Sequence, residues 1–200
     1  MANSTKILGA IYVFIFLSSC LSIGSGPLTN SISVPLNQTN IKHKLPSGFC
    51  LDKSANSLTA YQEIILVTNC IAVSNGNKPY FSRRPVDTIV NIAFTRSMVP
   101  RIISEQEYLS IIARNIEFKK FLTASSNKKI VYGEKRLLKN FFHVNFQRIS
   151  SSNRREFIRK YFFFVDKKLV VMTILSLKKP RKNMYIAFEN FIKNLSQASS

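Results

Sequence analysis

Few residues of this chain carry side chains that do chemistry. The 200 residues include three cysteines, two histidines and ten acidic residues, and the acids are scattered along the sequence. General acid–base catalysis needs titratable groups brought together, usually a histidine or paired carboxylates. The strongest candidate is His143, which shares one strand face with Asn145 and Gln147 because side chains two residues apart point the same way. We expect this polar face either to be solvated or hydrogen-bonded, or to form a site.

No cofactor or metal site is indicated by the sequence. The spacing of Cys50, Cys70 and His43 does not match a zinc motif. The chain has no glycine-rich phosphate loop, no nucleophile elbow and no kinase signature. We therefore predict no catalytic residue, no cofactor and no bound metal, and a non-enzymatic protein is favoured.

The first residues have the pattern of a secretory signal. One lysine precedes an unbroken apolar stretch from Ile7 to Leu17, and small residues follow. About eleven residues at about 1.5 Å each fall short of the roughly 30 Å of a bilayer core, which argues against a retained membrane helix. We predict a signal peptide over residues 1–19.

The end of this leader resembles the lipobox of bacterial lipoproteins. The residues concerned are Leu17, Ser18, Ser19 and Cys20. The resemblance implies that Cys20 becomes the acylated first residue of the mature protein, which holds it on a membrane. The alternative is that Cys20 happens to end a leader cleaved nearby. Residues 20–44, rich in Ser, Thr, Asn, Gly and Pro over most of their length, are interpreted as the lipid-attachment cysteine and a flexible tether.

Setting Cys20 aside leaves Cys50 and Cys70 as an even pair. Each lies in a predicted strand, and an exported chain would meet an oxidising environment. A disulfide is therefore favoured over two free thiols. A catalytic thiol is disfavoured, because no basic partner is indicated near either residue.

The chain is strongly basic. Its 29 Lys and Arg residues against 10 Asp and Glu residues give a net charge of +19. Such an excess favours anionic partners, although a solvated basic surface without a specific site is the simpler explanation. The basic residues considered for anion binding lie in the last third of the chain: Arg154, Arg155, Arg159, Lys160, Lys178, Lys179, Arg181 and Lys182.

Residues 45–197 are predicted to form one α+β domain. Alternating and apolar runs predict three strands, then a helix that begins with a capping box at Ser104–Glu107, then four strands and a final helix. The last three strands, from about Phe141 to Leu177, read as an antiparallel meander. The first helix is expected to carry the stripe Tyr108, Ile111, Ile112 and Ile116 and to stop near Ala124. The second is expected to pack on the sheet, with a membrane-surface helix as the alternative.

Two resemblances bear on this domain. The stretch Pro46–Asp52 followed by Asn69 and Cys70 resembles an uncharacterised family of small secreted or lipid-anchored bacterial proteins. Members of that family have no assigned activity, so the resemblance implies none for this protein. The layout of an antiparallel sheet with two packing helices is similar to the PsbP-like α/β sandwich, and many proteins of that fold bind or scaffold rather than catalyse.

The sequence thus predicts an exported, lipid-anchored protein of the bacterial cell envelope. We expect it to bind or scaffold a partner protein or an anionic envelope component. Two alternatives remain open: an envelope enzyme of unknown class that uses the His143 face, and a basic nucleic-acid-binding protein. Export makes a nucleic-acid partner the less favoured of these.

Overall fold

A computed structural model of the protein describes residues 29–36, 39–52, 57–58, 62–74, 86–98, 103–115 and 129–197. The predicted signal peptide and Cys20 lie outside the described residues. No helix among the described residues has both the length and the apolar composition needed to cross a bilayer.

Thirteen elements are formed in these segments. The strands are β1 Ser31–Leu36, β2 Thr39–Lys44, β3 Phe49–Leu51, β4 Ser57–Leu58, β5 Gln62–Asn69, β6 Thr88–Met98, β7 Lys129–Leu137, β8 Phe141–Ile149, β9 Arg155–Val165 and β10 Lys168–Ser176. The helices are α1 Cys70–Ser74, α2 Glu105–Arg114 and α3 Lys182–Gln197.

Eight of the strands form one antiparallel sheet. Seven of them lie in the order β3-β5-β6-β10-β9-β8-β7, and β4 also pairs with β5. The α+β class with a mainly antiparallel sheet is therefore confirmed. The predicted meander is β8–β9–β10, and β7 extends it to the end of the sheet.

The turn between β9 and β10 shows why this meander is tight. Val165 pairs with Lys168, so only Asp166 and Lys167 form the loop. Both residues have positive φ, at 49° and 58°. A two-residue loop with two positive φ angles matches the right-handed twist of the flanking strands. The predicted interruption at this point is confirmed, except that Lys168 belongs to the strand.

The sheet buries apolar side chains on both sides. On one side it packs against α3 and residues of the β1–β2 region, and on the other side against α2. The first core includes Val67, Ile92, Phe163, Met172, Phe188 and Ile192, and the second includes Leu109, Phe142, Phe146, Ile158 and Phe162. Core packing of the final helix, which the sequence favoured over a membrane-surface position, is observed: Phe188, Phe191, Ile192 and Leu195 are all buried.

The tether prediction is wrong for residues 31–44. This segment forms the antiparallel hairpin β1–β2, in which Ser31 pairs with Lys44. The side chain of Ile32 is 1% exposed and packs in the α3-side core with Leu45. The uncharged composition of residues 21–40 concealed these strands, although Ile32, Val34 and Leu36 alternate in β1 with the period of a strand.

Helix α2 begins as predicted and ends early. Ser104 caps it by accepting a 3.1 Å hydrogen bond from the backbone amide of Glu107. It ends at Arg114, ten residues before the predicted stop near Ala124. The predicted stripe is confirmed in part: Tyr108 and Ile112 are partly buried against the sheet, whereas Ile111 is 51% exposed and Ile116 lies outside the described residues. Leu109 and Ala113, which were not predicted, are the buried residues of this helix.

Cys50 and Cys70 form a disulfide. This bond, favoured from the sequence, is confirmed. Cys50 lies in β3 as expected, but Cys70 is the first residue of α1 rather than the end of a strand. The bond therefore connects a sheet strand to a short helix that packs beside it.

Candidate functional site

The three polar residues of β8 do point to one side of the sheet, the side that α3 covers. They differ in depth, however. His143 is 2% exposed, whereas Asn145 and Gln147 are only partly buried. The prediction of one polar face is therefore wrong for His143, because the ring lies among Phe141 and Tyr161 in the interior.

His143 is held by ring packing. Its ring stacks on Tyr161 with centroids 5.7 Å apart and meets the edge of Phe141 at 6.1 Å. Neither ring nitrogen has a hydrogen-bond partner among the described residues. Burial, and secondly the positive charge of Arg159, lower the pKa of His143 to about 4, so the ring is neutral at pH 7. A neutral ring closed off from solvent does not reach a substrate in this conformation.

The charged centre beside His143 is Arg159 of β9, which is 8% exposed. Its Nε donates to Oδ1 of Asn145 at 2.5 Å. One terminal nitrogen donates to Oε1 of Glu189 at 3.1 Å and to the hydroxyl of Tyr161 at 3.3 Å. The other lies 3.9 Å from Glu134 of β7. The side chain of Arg159 therefore connects β7, β8 and α3.

Aromatic side chains complete the surroundings of Arg159. The guanidinium carbon lies 3.7 Å from the centroid of the Tyr185 ring, which is a cation–π contact. Burial raises the pKa of the Tyr161 hydroxyl, and burial also raises the pKa of Tyr185. Both phenols therefore stay protonated at neutral pH. Arg159 thus fastens the first turns of α3 to the sheet.

A cleft of about 230 Å³ opens next to this cluster. β7 and β8 supply one wall, and the approach to α3 supplies the other. The cleft is lined by polar and charged residues and by apolar ones, including Val131, Glu134, Asn145, Gln147, Phe157, Lys179, Pro180 and Tyr185. β7 has a bulge here, between Tyr132 and Lys135, so two residues face Asn145. The bulged residue Gly133 packs beside Asn145, and a Cβ placed on it would lie 3.4 Å from the Cβ of Asn145.

The predicted basic residues do not converge on one anion site. Arg159 and Lys160 are neighbours on β9, so their side chains point to opposite sides of the sheet. Arg154 and Arg155 are exposed around the β8–β9 turn. Strand alternation and distance along the chain therefore separate the basic residues considered for anion binding, whose role stays a prediction.

The remaining basic residues lie where the chain passes from β10 to α3. Lys178 pairs with Asp87 at 3.0 Å. Lys179 lines the cleft, and Arg181 and Lys182 are exposed at the beginning of α3. Of the predicted set, Lys179 is the member that lines the cleft.

Sequence reasoning missed the acidic and phenolic members of the cluster. Tyr185 and Glu189 are four residues apart on α3 and so lie on the same helix face. That spacing was a usable signal. The pairing of Glu189 with Arg159 could not be predicted from spacing, because 30 residues separate the two in sequence. No group of three His, Cys, Asp or Glu side chains able to hold a metal occurs within the described parts of the chain.

Comparisons with known proteins give no family. No family model matches the sequence, and no curated protein matches it. Similar solved structures include the Ran-binding protein Mog1p of Saccharomyces cerevisiae, with a TM-score of 0.43 and 11% identity over 86% of this chain and 94% of that one. Another is the extracellular domain of PknH from Mycobacterium tuberculosis, with a TM-score of 0.43 and 9% identity over 98% and 93%. These scores are too low to transfer a partner or a role to this protein.

Proposed function

We propose that the protein is an exported, non-enzymatic lipoprotein of the bacterial cell envelope. In this proposal Cys20 carries the lipid, and the α+β domain, with its PsbP-like layout, binds an anionic component of the envelope. The domain stands on the periplasmic side of a membrane.

The observation that carries the proposal is the disulfide between Cys50 and Cys70. Disulfides form and persist in oxidising compartments and are rare in the cytosol. The apolar stretch from Ile7 to Leu17 and the lipobox-like residues before Cys20 supply a route to such a compartment. Export also disfavours the nucleic-acid alternative, since an exported domain rarely meets nucleic acid.

Binding to an anionic component is supported by charge. The chain carries +19, and exposed basic residues such as Arg154, Arg155, Arg181 and Lys182 lie on the described domain. Each basic residue near an anionic surface contributes about 1 kcal/mol. The enzyme alternative gains no support from His143, because its ring is 2% exposed.

Anchoring is tested with Cys20→Ser and, as a control that removes a different sulfur, Cys50→Ser. We expect palmitate labelling and membrane fractionation to be lost in Cys20→Ser and kept in Cys50→Ser. Labelling that persists in Cys20→Ser would contradict the anchor.

Binding is tested with the full-length protein extracted in detergent and applied to immobilised heparin at increasing salt concentration. We expect retention to fall steeply with salt, because exposed charges are screened within about 10 Å at about 0.1 M ionic strength. Retention that does not change with salt would contradict an electrostatic partner, and a partner protein would then be the better hypothesis.

A further inference from the structure

We infer that the cleft between β7, β8 and the start of α3 is a binding site for one acidic sugar unit, such as a uronic acid, of an envelope polysaccharide. This inference rests on the proposed function and names the ligand class that the function leaves open. It concerns the side chains of Glu134, Asn145, Gln147, Lys179 and Tyr185.

The cleft contains both hydrogen-bond donors and hydrogen-bond acceptors. Arg159 donates to Oδ1 of Asn145, so the Nδ2 group of that amide remains as a donor with a fixed orientation. Gln147 brings a second amide, with both a donor and an acceptor, and Glu134 brings a carboxylate acceptor. Donors and acceptors side by side match the hydroxyl groups of a sugar, each of which both donates and accepts.

One end of the cleft carries the positive charge of Lys179. Lys179 lines the cleft and has no ion-pair partner among the described residues, whereas its neighbour Lys178 pairs with Asp87 at 3.0 Å. Lys179 also precedes the N-terminus of the 16-residue helix α3, whose dipole favours negative charge nearby. No acidic residue occurs in the first turn of that helix. A carboxylate on the ligand would therefore be favoured at this end.

Part of the cleft wall is apolar. Val131, Phe157, Pro180 and Tyr185 also line the cleft. A pyranose ring has an apolar face of C–H groups that packs on such surfaces. A bare inorganic anion has no such face. An entirely apolar ligand would displace water from Gln147 and Lys179 without replacing its hydrogen bonds, at a cost in free energy. An acidic sugar uses both kinds of surface.

The size of the cleft limits what it holds. Its volume of about 230 Å³ is below the roughly 300–1,000 Å³ of sites for drug-sized ligands. It therefore suits one sugar unit, with the rest of the polymer outside.

The test measures binding of trigalacturonate to the full-length protein by isothermal titration calorimetry. Maltotriose serves as the neutral sugar and triglutamate as the acidic peptide. The matched variants are Lys179→Ala in the cleft and Lys178→Ala beside it, with Gln147→Ala as a second cleft variant. Lys178 and Lys179 have the same charge and are adjacent in sequence, so general electrostatics affect both equally.

We expect saturable binding of trigalacturonate that Lys179→Ala weakens by about tenfold or more, because a charge-assisted hydrogen bond is lost. Gln147→Ala should weaken binding by about fivefold, and Lys178→Ala by less than about twofold. Maltotriose and triglutamate should both bind at least about tenfold more weakly than trigalacturonate.

Three results would overturn the inference: no saturable binding of trigalacturonate, equal losses in Lys178→Ala and Lys179→Ala, or equal affinity for triglutamate. None of these contradicts the proposed function. Heparin retention that remains salt-dependent and unchanged in Lys179→Ala would leave the envelope proposal standing and remove only the cleft.

Discussion

Protonation of His143 should make the folded domain less stable in mild acid. The imidazole is 2% exposed, stacks on Tyr161 and has no hydrogen-bond partner among the described residues. Burial is the largest cause of the lowered pKa, and the charge of Arg159 comes second; Glu134 opposes this lowering, and Arg136 adds to it. A buried neutral histidine that must become charged is one of the ordinary sources of acid denaturation.

The magnitude follows from the two pKa values. In the folded protein the pKa is about 4, against an ordinary value of 6.5 in the unfolded chain. Between these values the unfolded state binds more protons, so stability is complete above about pH 6.5 and decreases as the pH falls towards about pH 4. At about 1.4 kcal/mol for each pKa unit, the full effect is about 3 kcal/mol, of which about 2 kcal/mol is lost by pH 5.

The variant that tests this is His143→Phe, which keeps an aromatic ring and does not titrate. Both proteins carry His43→Gln, because burial also lowers the pKa of His43. Urea unfolding at pH 7 and pH 5 gives the free energy of unfolding of each protein. The parent should lose about 2 kcal/mol more than His143→Phe between the two pH values, and the larger Phe ring should not affect this difference.

Equal pH dependence in the two proteins would refute the reasoning. A ring-proton titration of His143 by NMR gives an independent check. A midpoint near 6.5 in the folded protein would show that the ring is hydrated, and the burial argument would then be wrong.

Three further predictions concern stability. Reducing the disulfide, which closes a loop with a sequence separation of 20, should lower the free energy of unfolding by about 3 kcal/mol in urea titrations with and without reductant; no change would show that the bond is not formed. Phe188→Ala removes a ring that is 0% exposed and whose centroid lies 4.9 Å from that of Phe49, so the free energy of unfolding should fall by about 3–5 kcal/mol. Ile186→Ala, on the exposed face of the same helix, should change the free energy of unfolding little. Arg159→Met should destabilise by about 2–4 kcal/mol because Glu189 loses its partner, with exposed Arg155→Met as the control; equal effects of the two arginine variants would contradict the role of Arg159.

The sheet was largely predictable from local patterns. Alternation in Phe141–Ile149 separates Phe142, Val144 and Phe146 from His143, Asn145 and Gln147, and the structure shows this separation. Alternation gives the side of the sheet but not the depth of burial. His143 is buried because of neighbours on β9, which the sequence of β8 alone does not reveal.

The cluster around Arg159 was beyond prediction for the same reason. Its partners come from β7, β8 and α3, and their positions depend on strand order and on where the final helix crosses the sheet. From the sequence alone, Arg159 is one basic residue among 29. Tertiary packing makes it a buried connector instead, and its charge is satisfied within the protein.

The hairpin β1–β2 was missed for a different reason. Ile32, Val34 and Leu36 alternate with Ser31, Ser33 and Pro35, which is the period of a strand and was a usable signal. The uncharged, Pro- and Gly-containing composition of residues 21–40 favoured a tether instead, whereas residues 31–36 pair with residues 39–44.

Export is the central claim about this protein. The intact mass of the protein extracted from membranes tests it directly. We expect a mature chain that begins at Cys20 and carries acyl groups, with the thiols of Cys50 and Cys70 unavailable to alkylation until a reductant is added. A mass of 22.8 kDa, that of all 200 residues, with both thiols alkylated without reductant, would contradict it.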